Sequence, residues 1–308
     1  MSKPILIILV LLVSSLQSQA CDVCGCNLSG VYFGLSPMST SHFVGLNYQY
    51  ASFRAAIDND GYYFQDEYSH DTFHRVELVG RIRLAQRWQL RIGLPMVYQT
   101  MEGSSQNLTV SGLADPTLMV HMMPFNTGND FTKKAMHVLM LGAGVKAPVG
   151  EFNFQDQGTR VNPNFQPGTG SWDFLFNASY TLRRANFGWN LDATGKYNMA
   201  NADGYQIGHQ VNAMSTLFYF MELPWGSWLP QVGVQWEMGQ PHLEEGTIRG
   251  NTGGTNLLGT AGVQFFRKQM GINVQAQLPL MQDFNTDANV TIEGGARFSV
   301  GLLYSLGG

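Results

Sequence analysis

Between residues 42 and 306 the chain repeats one pattern, roughly ten to fifteen residues of alternating polarity followed by a turn. Trp88 to Gln99 is the clearest case: every even position is apolar, and the odd ones are mostly polar or small. Successive strand side chains point to opposite faces, so this segment predicts a strand with one greasy and one wet side. Arg75 to Leu84 behaves alike, with Val76, Leu78, Ile82 and Leu84 opposite Arg75, Glu77, Arg81 and Arg83. Trp172 to Leu182, Phe187 to Lys196, Gln231 to Met238, Ile272 to Leu280 and Ala296 to Leu306 repeat it.

A soluble sandwich alternates too, and three features separate it from a membrane barrel. The segments reach the 9 to 11 residues a tilted membrane-crossing strand needs, whereas soluble strands average about 5 or 6. Aromatics such as Trp88, Tyr98, Trp172, Tyr180 and Tyr304 sit near segment ends, as interfacial girdles require. The wet face carries charge at Arg91, Asp173, Asp192, Lys196, Glu237 and Arg297, which suits a polar lumen. The connections also alternate: Ala85-Gln86-Arg87 is tight, while Gly150 to Gly168 and Gly239 to Gly254 are long and polar. The prediction is an all-β, transmembrane, antiparallel up-and-down barrel of about twelve strands over residues 42–308. Asp58 to His70 reads as an acidic loop.

Composition removes the competing classes. The 308 residues include 35 Gly, well above the usual share of about 7%, and 13% charged residues, about half the usual quarter. With 44% hydrophobic and 12% aromatic residues the chain is not disordered, and its net charge of −4 excludes nucleic acid as a partner. Only the N-terminus approaches a long apolar run. Lys3, the apolar stretch Ile5 to Val13 and the small-x-small site Ser18-Gln19-Ala20 read as a signal peptide, residues 1–20. The lipid bilayer of a cell outer membrane, an unidentified small solute and the barrel-assembly machinery are the partners this implies.

Several segments together resemble the outer-membrane barrel family named for the meta pathway of phenol degradation. Leu141 to Gly150, containing Lys146-Ala147-Pro148-Val149-Gly150, is similar to its "K-x-P-T-G" segment, with Val149 in place of Thr. Gly168-Thr169-Gly170-Ser171-Trp172-Asp173 matches its "G-T-G-S-W-D" strand start. Gly112 to Leu118 resembles its "G-x-G-D-x-x-L" segment, with Ala114 for the second Gly, and Gln277 to Asp283 its penultimate strand. The family is distantly similar to aromatic-hydrocarbon and fatty-acid uptake channels, so the resemblance implies a transport-like role over residues 42–306 and names no substrate.

The candidate chemistry falls in two places. Cys21, Cys24 and Cys26 form a C-x-x-C-x-C cluster in the segment 21–41, and three thiols cannot all pair within one chain. One reading is a soft-metal site for Cu(I) or Zn(II), since thiolates at this spacing converge and Gly25 eases the turn. Lipidation of Cys21, or a disulfide with one spare thiol, are the others. In the barrel, Arg75, Glu77, Arg81, Arg83 and Arg91, with Asp173 and Glu237, are lumen candidates. They either bias passage and bind a polar solute, or stiffen a plugged barrel with ion pairs. His70-Asp71-x-x-His74 reads as a loop end before a chelate, and Met119, Met122 and Met123 around His121 as gap-filling before a copper path. No spacing marks a catalytic triad, so the chain reads as no enzyme, a barrel-rim hydrolase standing behind a transport, structural or metal-sensing barrel.

Overall fold

The computed structural model describes residues 42–59, 66–104, 106–127, 134–156 and 158–306. Twelve antiparallel strands follow one another around a closed wall: β1 (His42–Ile57), β2 (Glu67–Arg83), β3 (Trp88–Gly103), and β4, which is broken into Asn107–Leu113 and Thr117–Asn126. Then come β5 (Met136–Lys146), β6 (Asp173–Arg184), β7 (Phe187–Asn198), β8 (Gln210–Tyr219), β9 (Gly226–Gly239), β10 (Gly254–Arg267) and β11 (Met270–Phe284). The last, β12, is broken into Val290–Gly294 and Arg297–Leu306. It pairs with β1, and β8 pairs with β9, which closes the ring. Closure gives the strands two neighbours each, save at the upper segments Asn107–Leu113, which pairs with β3 alone, and Val290–Gly294, which pairs with β1 alone. The alternation therefore delivers the predicted transmembrane barrel.

Facing follows the alternation residue by residue. On β1, Phe43, Asn47, Gln49, Ala51 and Phe53 are buried inside, while Leu46 and Tyr48 are exposed outside. Outward apolar side chains such as Leu78, Leu94, Phe176, Val232, Leu278 and Leu302 recur around the wall. An exposed apolar band of this extent has no place in water and fits acyl chains. Trp88, Phe187 and Trp225 end the band on the side of the tight turns, and Trp172 and Tyr68 on the side of the long loops.

The wall is taller on one side. β1, β2 and β3 have 16, 17 and 16 residues, against 11, 12, 12 and 10 in β5 to β8. The loop 147–172 rises from the low side and packs its Val161 and Phe165 against residues of the tall side such as Phe53, Phe73 and Met101. The acidic segment is a correction: Glu67 to His70 belong to β2, paired with Ile57 to Arg54. In that part of the β1–β2 hairpin the inward residue of β2 is Ser69, buried opposite Ala55, and Tyr68 alone faces out as an apolar side chain, so alternation gives little signal. His70 and His74 are therefore strand residues, and His74 bonds Tyr48 Oη through Nδ1 at 2.9 Å.

Candidate functional site

The lumen is organised around the break in β4. Pro116 offers no N–H to a ladder, and Ala114-Asp115-Pro116 bulges from the wall, Ala114 N donating to Pro95 O at 2.9 Å. The bulge turns the Asp115 carboxylate toward the loop 147–172. Its Oδ1 accepts from Gly150 N at 2.9 Å, and its Oδ2 from Thr169 N at 2.9 Å and Thr169 Oγ1 at 3.1 Å. Lys146 Nζ, at the end of β5, sits 2.6 Å from the same Oδ2, 2.8 Å from Asp173 Oδ2, and against Thr169 Oγ1. Asp173 opens β6 directly opposite Lys146, and its Oδ1 accepts from Ser171 Oγ at 2.9 Å and Met199 N at 3.1 Å. All three charged groups are buried, and buried charges persist only when paired and hydrogen-bonded in this way.

Three of the four segments that carry the family resemblance thus converge on one knot. Two of its glycines are explained by it: a Cβ on Gly168 would run into the Gly150 backbone, and one on Gly150 would lie 2.7 Å from Gly168 Cα. Held at both ends, the loop folds inward. Asn162 caps a short 3-10 turn, Pro163–Phe165, and Gln166 ties the loop to itself through Phe154 N and the Val161 and Phe154 carbonyls. The fully buried Phe165 packs on Phe73 with ring centroids 5.1 Å apart. Phe53, Met101, Val110, Phe284 and Ile292 complete this apolar plug in the upper lumen. Above it, Arg160 pairs Asp203 at 2.9 Å, and Gln106 Nε2 donates to Asp156 at 2.9 Å, so neighbouring loops brace the lid.

Beneath the plug lies a cavity of about 250 Å³. Its roof includes Asp115, Pro167 and Thr169. One wall is charged, with Arg75 beside Glu77 at 3.4 Å. The other is an amide ladder: Gln277 Nε2 donates to Gln235 Oε1 at 2.6 Å, and Gln235 Nε2 to Glu237 at 2.7 Å. Arg297 Nη1 meets both Glu237 oxygens, at 2.9 and 3.0 Å.

The sequence-derived candidates are distributed unevenly. Arg75, Glu77, Arg91 and Glu237 line the cavity, and Arg81 is buried over the Phe43 ring, 4.5 Å from its centroid. Arg83 turns to the rim, where its Nε donates to Ala85 O at 3.2 Å. Asp173 belongs to the knot. Asp115 and Lys146 stand in the sequence only within the resemblance segments; an Asp-Pro pair in mid-strand and a Lys two residues beyond Gly144 are the signals that mark them. Among the described residues no group of three or more His, Cys, Asp or Glu is arranged to hold a metal ion. Cys21, Cys24 and Cys26 lie outside the described residues.

No family model and no curated protein matches the chain, so the resemblance to the phenol meta-pathway family stands on its motifs. Solved structures do match. The COG4313 outer membrane channel from Pseudomonas putida F1 superposes with a TM-score of 0.62 at 16% identity, covering 90% of this chain and 98% of that one. It shares this fold. The beta domain of the Bordetella autotransporter BrkA matches at 0.45 and 12% identity over 85% of this chain and 99% of that one. A Pseudomonas aeruginosa FadL homologue matches at 0.42 and 9% over 86% and 90%.

Proposed function

We propose that this chain is a non-enzymatic outer-membrane barrel that admits a small solute to an inner site, with the loop 147–172 as its gate. The observation that carries the reading is the single Asp115 carboxylate, which holds Gly150 and Thr169 at the two ends of the plug-bearing loop. The cavity below suits a compact molecule, being smaller than the usual drug-sized pocket of about 300–1,000 Å³.

Outer-membrane placement is supported by the apolar band, the mostly tight connections on one rim and the longer ones, 147–172 and 240–253 above all, on the other, and the fold shared with an outer-membrane channel. On this reading residues 1–20 are removed on export, and the barrel-assembly machinery inserts the rest. Cys21, Cys24 and Cys26 then come before a β1 that starts on the rim of the tight turns, the periplasmic side on this reading, and Cu(I) or Zn(II) binding by them is a separate proposal. The family resemblance and the motif knot favour a transport role over a structural or sensing one.

Liposome swelling with graded neutral and charged small solutes tests the reading. Asp115→Asn weakens the latch, so solute entry should rise severalfold over the unaltered protein. Equal impermeability of both proteins, each shown to be folded by heat-modifiable migration, would leave a structural barrel.

A further inference from the structure

The ion pairs of the lumen leave one guanidinium over. Arg91 of β3 stands directly opposite Arg81 of β2, and like charges so placed repel. Arg81 has the Phe43 ring beneath it. Arg91 has nothing comparable: among the described residues no carboxylate oxygen lies within ion-pair distance of it and no hydrogen bond reaches it. Its Nε is closed to solvent and unpartnered, yet the side chain lines the cavity. Asp192 of β7 lines the same cavity, and that carboxylate is already held by Asn177 Nδ2 at 3.2 and 3.3 Å.

A second polar group shares the gap. His121, one inward position from Met119 on β4, is 1% exposed with its Nδ1 lacking any partner. Its ring lies over Gly142, where a Cβ would collide with it, so β5 is hollowed to admit it. Buried unpaired groups cost several kcal/mol when the charge has no counterion. Two beside one cavity describe a ligand's polar end. Met119, Leu175 and Met214 line the same cavity and offer its other end an apolar surface.

We infer that Arg91, backed by Arg81 and flanked by His121, binds the carboxylate of a small monocarboxylic acid whose short apolar body lies along Met119, Leu175 and Met214. A guanidinium fork matches a carboxylate with two parallel hydrogen bonds, which an ammonium does not. The inference rests on the reading of the lumen as a solute site, and it names the solute class.

Isothermal titration of the full-length barrel in detergent, with butanoate, inorganic phosphate and butylammonium as probes, tests it. Butanoate should bind at about one per barrel, and Arg91→Gln should weaken it about tenfold, the loss expected for one charge-assisted hydrogen-bond pair. Arg91→Lys should recover part of the affinity, and Arg54→Gln, on the exposed outer face near the long loops, should change nothing. Butylammonium binding as tight as butanoate, phosphate binding tighter than butanoate, or affinity indifferent to Arg91→Gln in a folded barrel would each overturn the site. Swelling assays run alongside separate the two claims. Solute passage without Arg91-dependent butanoate binding overturns this inference alone, and Arg91-dependent binding in a barrel that passes nothing overturns transport alone.

Discussion

Asp115 and Lys146 are joined at 2.6 Å although one interrupts β4 and the other ends β5. Their strands pair up to Thr117 opposite Lys146, one further backbone bond joins Ala147 N to Pro116 O at 3.0 Å, and beyond it side-chain contacts take over. The same Lys146 ammonium holds Asp173 at 2.8 Å, which links the break in the wall to the first residue of β6. The missing stretch of ladder between β4 and β6 is thus replaced by a charge network, and the loop that plugs the lumen hangs from it.

Removing the cation from this network should be costly. Lys146→Met leaves Asp115 and Asp173 buried together with only the more distant Lys196, 3.8 Å from Asp173, to offset them, a loss of about 3–5 kcal/mol. Adding Asp173→Asn should return part of it, because one buried negative charge goes with it. Urea unfolding followed by heat-modifiable migration measures both, and a single variant no less stable than the double would contradict the network.

Two glycines that look alike in sequence should behave differently. A Cβ at Gly142 collides with the His121 ring, while one at Gly195 meets nothing within 4 Å. Gly142→Ala should therefore cost about 1–3 kcal/mol through overpacking. Gly195→Ala should stay within about 0.5 kcal/mol of the parent. Unfolding midpoints of the two variants compare them directly.

How much of this was legible beforehand depends on what alternation can carry. It marked Trp88 to Gln99 as a two-faced strand and found the lumen side of Asp192, Lys196 and Arg297, because facing is a local property. It could not show that Arg297 and Glu237 meet, since β12 and β9 are separated by two strands and the contact crosses the lumen. Nor could it show that Phe165, in a polar loop, turns inward to Phe73. Glu67 to His70 form strand rather than loop although their inward residue, Ser69, is polar, so no apolar face marks them in the sequence. Asp115 was visible as an Asp-Pro pair, yet its partners lie 31, 35 and 54 residues away.

The loops above the lumen should respond to acid. His242 follows the end of β9, is buried, and shares a 2.7 Å hydrogen bond with Tyr205 Oη. Burial, helped by the Lys196 charge, lowers its pKa from 6.5 to about 4. The unfolded chain therefore binds the proton first. Stability from the neutral ring is complete above about pH 6.5 and is lost as pH falls toward 4, on the order of 3 kcal/mol for a shift of this size. Hydrogen exchange of the loops 199–209 and 240–253 should rise across that window, and His242→Gln should flatten the response.

The cysteine cluster should be separable from the barrel. Cys21, Cys24 and Cys26 precede β1, so their triple replacement by Ser should leave heat-modifiable migration unchanged. If the thiolates hold Cu(I) or Zn(II), elemental analysis should find about one ion per chain before replacement and none after, three thiolates sufficing for one ion. Unchanged metal content would end that reading, and a diacylglyceryl mass on Cys21 would assign the terminus to lipid anchoring.

The most direct measurement of the account is planar-bilayer conductance of the full chain beside a variant lacking residues 152–166, the inward part of the loop between Gly150 and Gly168. Both proteins would be confirmed as folded barrels by heat-modifiable migration. If this loop is the gate, the parent should open rarely, and the shortened chain should hold a steady conductance severalfold higher. Equal conductance in the two, or silence in both, would contradict a lumen closed by its latched loop.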